Sequence, residues 1–294
     1  MPSFLKTFFK SELFYRFLRS RSALSGFAIV AAFLVLVLVG PRFTPQNPYD
    51  LRSLDLEDAY KPPMWQRGGD AKFPLGTDEQ GRDILSGIVY GSRISLAMGL
   101  GTMLCSCFIG TLVGLIAGYW GGKLDAFLMR VVDVQLSFPA MMVALFIMIA
   151  FGRGFWKLLT ALTLVGWVIY ARTVRGATLS ERNREYVDAA RLIGLPPFRV
   201  VMRHVLPNVT TPLIVIATMH VGTVILTEAT MSYLGVGVPV TQPSLGLLVK
   251  NGYDVLFSGL WWVSVFPGLF IMLLVFGVNL LGDFLRDELN PKLK

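Results

Sequence analysis

Tyr186 to Asn208 reads YVDAARLIGLPPFRVVMRHVLPN, and its punctuation governs how the rest of the chain is read. Tyr186, Ala189, Ala190 and Ile193 recur at i, i+3, i+4 and i+7, a narrow helical stripe built around two alanines. Gly194 stands where a helix end needs a left-handed residue, and Pro196-Pro197 forbids continuation. A second stripe of Phe198, Val201, Met202 and Val205 runs to Pro207, with Arg199 and Arg203 off its face. The spacing predicts two short helices joined at a fixed bend. An alanine-faced helix suits a groove on another molecule; the plainer reading is an amphipathic loop helix at a membrane surface.

The surroundings are strongly apolar. Mean hydropathy is +0.60 over 294 residues, with 16% charged where soluble domains carry about 25%. That composition places most apolar surface against lipid or other helices. The net charge of +8 raises nucleic acid as a partner, but the basic residues flank apolar runs, so a positive-inside bias accounts for them and no nucleic acid is expected. Six spans are expected, at about 23–40, 93–119, 131–151, 155–171, 209–232 and 256–281. The fourth is short enough to be re-entrant. Omitting it would put the seven arginines between Arg172 and Arg203 outside, so six crossings fit better, with both termini and the 172–208 loop cytoplasmic. Ala23 to Gly40 is read as an uncleaved anchor. Ahead of it, Phe4, Leu5, Phe8 and Phe9 set against Lys6 and Lys10 suggest a helix lying on the inner surface over 1–22. Residues 23–294 then form one domain, with an outer segment at 41–92.

Within the spans, Gly110, Gly114 and Gly118 share one helical face and predict a close helix neighbour. Arg130 and Asp133 are spaced for an i, i+3 pair. Pro139 predicts a kink, read either as architecture or as a point of movement. His220 and Glu228 are ionisable groups inside a span, where the default is a solute path or gate and the alternative is a hydrogen bond between helices. Cys105 and Cys107 sit at i and i+2 and point apart, so they read as two small buried hydrophobes rather than a disulfide or metal pair. In the outer segment Thr77-Asp78 is a candidate helix cap, and Pro239 to Asp254 reads as a second outer loop.

Four strings together carry a family resemblance. Asp188-Ala189-Ala190, then Gly194, then Leu206-Pro207 resembles the E-A-A-x-x-x-G-x9-I-x-L-P loop of bacterial ABC importer permeases, with Asp188 for the Glu and His204 for the Ile. Gly76 to Leu96 resembles the G-T-D-x-x-G-R-D segment of the peptide permease branch, with Gly87 where Arg is common. Glu228 to Gly237 resembles E-A-x-L-S-F-L-G-x-G. Asn279 to Leu293 resembles that branch's ending, with Asn290 for the usual Asp. The resemblance covers about 20–294. It implies an all-α, six-span integral membrane protein with the type I ABC importer permease fold, in a bacterial inner membrane. It further implies a cytoplasmic coupling helix in which Tyr186, Asp188, Ala189, Ala190, Arg191, Gly194 and Leu195 seat in an ATP-hydrolysing subunit. The implied partners are a second homologous permease, two ABC ATPase subunits, an external substrate-binding protein and membrane lipid. The implied solute is a di- or oligopeptide, with nickel as the alternative.

The chain itself carries no phosphate loop: its only Gly-Lys, Gly122-Lys123, has Ala117 where the motif's first glycine should stand and Leu124 in place of Ser or Thr. His204 and His220 are too far apart for a paired metal site on one helix. No catalytic residue, cofactor or metal is therefore expected here, and ATP and Mg would be held by partner subunits. A self-sufficient secondary transporter would show an inverted repeat, and none is visible. A scaffold would have no need of the Asp188–Gly194 arrangement.

Overall fold

Among the described residues, five helices are long and apolar enough to cross a membrane alone, and a bent pair supplies a sixth crossing when taken as one span. In the computed structural model, which describes residues 12–48, 50, 54–239 and 241–289, the helices are α1 Glu12–Arg19, α2 Arg21–Val39, α3 Ile84–Trp120, α4 Gly122–Leu136, α5 Ala140–Phe151, α6 Phe155–Glu181, α7 Glu185–Leu192, α8 Pro197–Val200, α9 Leu206–Tyr233, α10 Leu245–Val255 and α11 Trp262–Leu289. Among the described residues the only β pairing is the bridge between Thr77 and Asp83. The apolar segment expected over Phe4 to Lys10 lies outside the described residues. The helix that follows it, α1, is anchored by Phe17, whose ring meets Phe27 and Phe284 edge-on at 5.7 and 5.5 Å.

The central element is α3. Its 37 residues extend about 55 Å at 1.5 Å per residue, well beyond a ~30 Å hydrocarbon core. It begins nine residues before the expected span because Asp83, not Thr77-Asp78, caps it: the Asp83 carboxylate accepts from the Ser86 N–H at 2.7 Å. The glycine face does what its spacing predicted. A Cβ on Gly110 would lie 2.4 Å from the Trp167 carbonyl, one on Gly114 2.6 Å from that of Ala171, and one on Gly118 2.6 Å from Thr178 Cβ. Backbone of α3 and α6 thus meet along a seam no other residue type would allow. Gly87 is buried against Leu248.

Several expectations are corrected. The third span is not one kinked helix: α4 and α5 are separate and bent by 84° across Ser137, Phe138 and Pro139. Proline has no N–H to give the preceding turn, so the new helix starts at its carboxyl side. The fourth span is not short, since α6 continues ten residues past Ala171 to Glu181. Residues 239–254 are not merely a loop: α10 is held by the Ser244 cap, whose hydroxyl accepts from Leu247 N–H at 3.2 Å, and it buries Leu245, Leu247 and Leu248. Asp133 pairs with Arg172 at 2.5 Å rather than with Arg130. Cys105 is exposed on α3 and only Cys107 is half-buried, so the pair is not two buried hydrophobes.

Two apolar cores follow. One joins α2, α3, α9, α10 and α11 through Phe33, Ile88, Ile225, Leu245, Trp262 and Leu274. The other joins α3, α5, α6 and α9 through Met98, Met148, Leu158 and Met231. Over the first core sits the 54–83 segment. Its Thr77 carbonyl accepts from the Trp262 indole at 3.4 Å, and its Asp78 carboxylate accepts from the Gln80 and Arg82 N–H groups at 2.9 Å. This is the cap end of the molecule; the elbow at 181–208 lies at the other end of α6 and α9.

Candidate functional site

The elbow begins where α6 ends. The first turn of α7 carries Glu185 and Asp188, acids that suit a helix N-terminus. Its end is closed as Gly194 foretold. Gly194 has φ +81, its N–H reaches the Arg191 carbonyl at 3.0 Å, and the Leu195 N–H reaches back to Ala190 at 3.2 Å. Those two bonds, with half-buried Leu195 beside Ala190 in one apolar cluster, make a Schellman closure. Pro196 and Pro197 then start α8.

The second stripe does not end as a separate helix. Val201 to Val205 form a π turn, with the Leu206 N–H reaching Val201, and the chain continues into α9. The wider turn makes room for Pro207, whose ring would clash with the carbonyl four residues back in a regular helix. The elbow is consequently one free helix, α7, hinged on Gly194 and joined by α8 and the π turn directly to a membrane span.

A second face of α7, one residue on from the stripe of Tyr186, Ala189, Ala190 and Ile193, packs on the bundle. Val187 and Ala190 are buried against Leu115, Val174, Val201, Val205 and Val209. Tyr186 and Ala189 are exposed. Leu192, Ile193 and Phe198 are 88%, 76% and 72% exposed. Ala190 belongs to both faces, while Tyr186, Ala189 and Ile193 of the alanine stripe stay outside the apolar contact with the bundle. Large apolar side chains thus stand exposed at the end of α7 and in α8. Asp188 and Arg191 pair at 3.0 Å, and the Arg191 guanidinium lies 5.1 Å over the Tyr119 ring, fixing α7 to the end of α3.

Arginines of α6 bind the same region together. Arg175 grips Asp125 of α4 through two bonds of 2.5 and 2.7 Å. Arg182, which follows the last turn of α6, donates to the Gly118 and Tyr119 carbonyls at 2.9 and 3.4 Å, closing the free end of α3. Two open clefts of about 640 and 680 Å³ flank the elbow and share Glu181 and Asn208. Neither residue was singled out in the sequence. Asn208 lay in the quoted string, but no periodicity marks a side chain that reaches across a turn.

Of the three residues considered for a path, His220 lines a cleft and Pro139 adjoins it. His220 Nδ1 lies 2.9 Å from the Tyr170 hydroxyl of α6, and its ring borders a cleft of about 480 Å³ with Ala140, Gly166, Thr223 and Thr227. Pro139 stands at the joint from which Ala140 enters that cleft. Glu228 is elsewhere: it is fully buried, with hydroxyls of Ser95 and Ser232 each donating at 2.8 Å. In the single chain it is an interhelical tie between α3 and α9. Among the described residues no group of three or more His, Cys, Asp or Glu is placed to hold a metal ion.

The same chain matches known proteins along its length. Residues 110–294 match the family model described as "Binding-protein-dependent transport system inner membrane component", and residues 7–63 match "N-terminal TM domain of oligopeptide transport permease C". The Di/tripeptide transport system permease protein DppC of Pseudomonas aeruginosa is 38% identical over 294 residues, covering 100% of this chain and 94% of that one. The Dipeptide transport system permease protein DppC of Haemophilus influenzae is 36% identical, covering 96% and 95%. The Oligopeptide transport system permease protein OppC of Bacillus subtilis is 35% identical, covering 95% and 88%. Among solved structures, an inward-facing conformation of the MetNI methionine ABC transporter superposes with a TM-score of 0.57 at 22% identity, covering 69% of this chain and 96% of that one. That likeness extends to the fold.

Proposed function

The chain belongs to the family of binding-protein-dependent transport system inner membrane components, and from that premise we propose that it is the permease subunit of an ATP-driven importer of di- or oligopeptides. The observation that carries the proposal is the elbow: a short helix closed at Gly194 and glued to the bundle by Val187 and Ala190, with Leu192 at its end, Ile193 beyond it and Phe198 of α8 all exposed. Such a surface fits the groove of a cytoplasmic ATPase subunit. Peptide, rather than nickel, follows from the relatives named for di- and tripeptides, dipeptides and oligopeptides.

In this reading the chain hydrolyses nothing and binds no ATP or Mg. Two ATPase subunits close on ATP and displace α7. Because α8 and the π turn make α9 continuous with the elbow, and Arg175 and Arg182 fasten α6 to α3 and α4, the displacement reaches the spans as a rigid movement. The clustered arginines at the elbow support, by the positive-inside rule, a cytoplasmic side for the elbow and both termini. A second permease completes the solute path, of which the cleft lined by His220, with Pro139 at the adjoining joint, forms part of this chain's half. An external binding protein delivers the peptide to the cap end.

The test uses the assembled transporter in liposomes. Ala189 is exposed in the single chain, so Ala189→Arg leaves the fold intact and obstructs the groove. A Cβ at Gly194 would meet nothing within 4 Å, yet the backbone there has φ +81, so Gly194→Val strains only the backbone, by roughly 1–2 kcal/mol or more. Both are expected to reduce ATP-driven peptide uptake at least tenfold while the chain still inserts. Full uptake by both variants would remove the elbow from the mechanism.

A further inference from the structure

We propose that Glu181 and Asn208 are positioning residues that fasten the elbow to both adjoining spans through the hydroxyl of Tyr186. This deepens the reading of α7 as a coupling element and rests on it. The Tyr186 hydroxyl donates to Glu181 Oε2 at the last residue of α6. It also accepts from Asn208 Nδ2, in the first turn of α9, at 3.1 Å. Asn208 is itself fixed, since the same amide donates to the His204 carbonyl at 2.7 Å across the π turn. Glu181 is steered by Arg184 at 3.7 Å. One oxygen on α7 thus closes a chain from the end of one membrane span to the start of the next.

The remaining attachment of α7 is of a different kind. Val187 and Ala190 pack against valines and leucines, a non-directional contact that resists separation but permits small slips. Hydrogen bonds are directional and weaken steeply with misalignment. The apolar face therefore transmits a push toward the bundle, whereas the Tyr186 chain fixes register and transmits a pull. It ties α6 to α9 at a place where the clefts lined by Glu181 and Asn208 otherwise part them. The proton stays on the tyrosine: desolvation of the hydroxyl, then the hydrogen bond to Glu181, push its pKa up to about 12, so the donor role persists at neutral pH. A charged acceptor makes the Glu181 bond the stronger of the two.

The experiment measures ATP hydrolysed per peptide imported, in liposomes holding the complete transporter and its binding protein. The probes are radiolabelled di- and tripeptides, and results are compared at equal amounts of assembled complex. Tyr186→Phe keeps the ring and removes the oxygen, and is expected to raise the ratio about tenfold. Glu181→Ala should match it, Glu181→Gln, which keeps an acceptor, should restore most of the coupling, and Asn208→Ala should fall between. Tyr186→Phe combined with Glu181→Ala should be no worse than either alone, because both break one chain. An unchanged ratio in Tyr186→Phe overturns the proposal, as does a Glu181→Gln variant no better than Glu181→Ala. If the wild-type complex shows no ATP-driven peptide uptake, it is the coupling reading itself that fails.

Discussion

At the scale of single residues, the cap end is where protonation matters most. Asp78 is buried in the 54–83 segment, its Oδ1 taken by two backbone N–H groups and its Oδ2 without a partner. Burial pushes its pKa up, and likewise that of Asp83. For an acid whose folded pKa is raised, the contribution to stability is present at low pH and is lost as pH rises through the folded value. Asp58 runs the other way: the hydrogen bond from Lys61 lowers its pKa, so its contribution holds from above the ordinary carboxylate range and disappears only in strong acid. Between mildly acidic and neutral pH the raised pair decides the trend. Protease cleavage within 54–83 should accelerate as pH rises above the ordinary carboxylate range, and Asp78→Asn should flatten that slope because Asn keeps an acceptor and carries no charge. Asp78→Ala should instead loosen the cap at every pH, by about 1–3 kcal/mol, since it orphans the N–H groups of Gln80 and Arg82. A cleavage rate indifferent to pH in the wild type would contradict the burial of these carboxylates.

Among elements, the seam between α3 and α6 carries the architecture. A valine at Gly114 would place Cβ 2.6 Å from the Ala171 carbonyl and 2.7 Å from Val174 Cβ, and backbone cannot yield as a flexible side chain can. Overpacking of this sort costs about 1–3 kcal/mol or more. Gly114→Val should lower the melting temperature of the purified protein by several degrees. Gly176→Ala is the control: it lies on the same pair of helices with nothing within 4 Å and should be neutral or slightly stabilising through helix propensity. Equal melting of Gly114→Val and wild type would mean the helices do not meet there. This seam was legible in the sequence because a four-residue glycine repeat has one physical use inside a membrane. The Gly194 closure was legible for the same reason, since a left-handed residue is a local requirement. What stayed hidden depended on partners distant in sequence. The face of α7 that packs on the bundle was not marked by spacing, because Val187 and Tyr186 both lie beside Ala190. Helix α10 was masked by flanking Pro239 and Pro243, although Ser244 was a valid cap. The break at Pro139 was visible, but its 84° angle is set by packing.

For the whole molecule, the two ends differ in kind. One gathers Arg172, Arg175, Arg182, Arg184, Arg191, Arg199 and Arg203 around the elbow, with Arg16 of α1 reaching Glu288 at 3.2 Å. The other is the acid- and proline-rich cap. Between them stands an apolar belt in which Phe108, Phe146 and Phe276 remain more than half exposed. By the positive-inside rule, charge asymmetry of this sign is expected to leave the basic end in the cytoplasm, and the contact of α1 with α11 puts the first and last described helices at that same end. Two nearly bare side chains report on the two ends: Leu192 at the elbow, 88% exposed, and Phe257 between α10 and α11, 90% exposed. In a background lacking Cys105 and Cys107, Phe257→Cys should react with a membrane-impermeant maleimide in intact cells. Leu192→Cys should react only after permeabilisation, and then more slowly when the ATPase subunits are assembled on it. The reverse pattern would invert the protein and detach the elbow from any cytoplasmic motor. Labelling of Leu192→Cys at one rate with and without those subunits would leave the orientation standing and deny that they cover the apolar surface of α7.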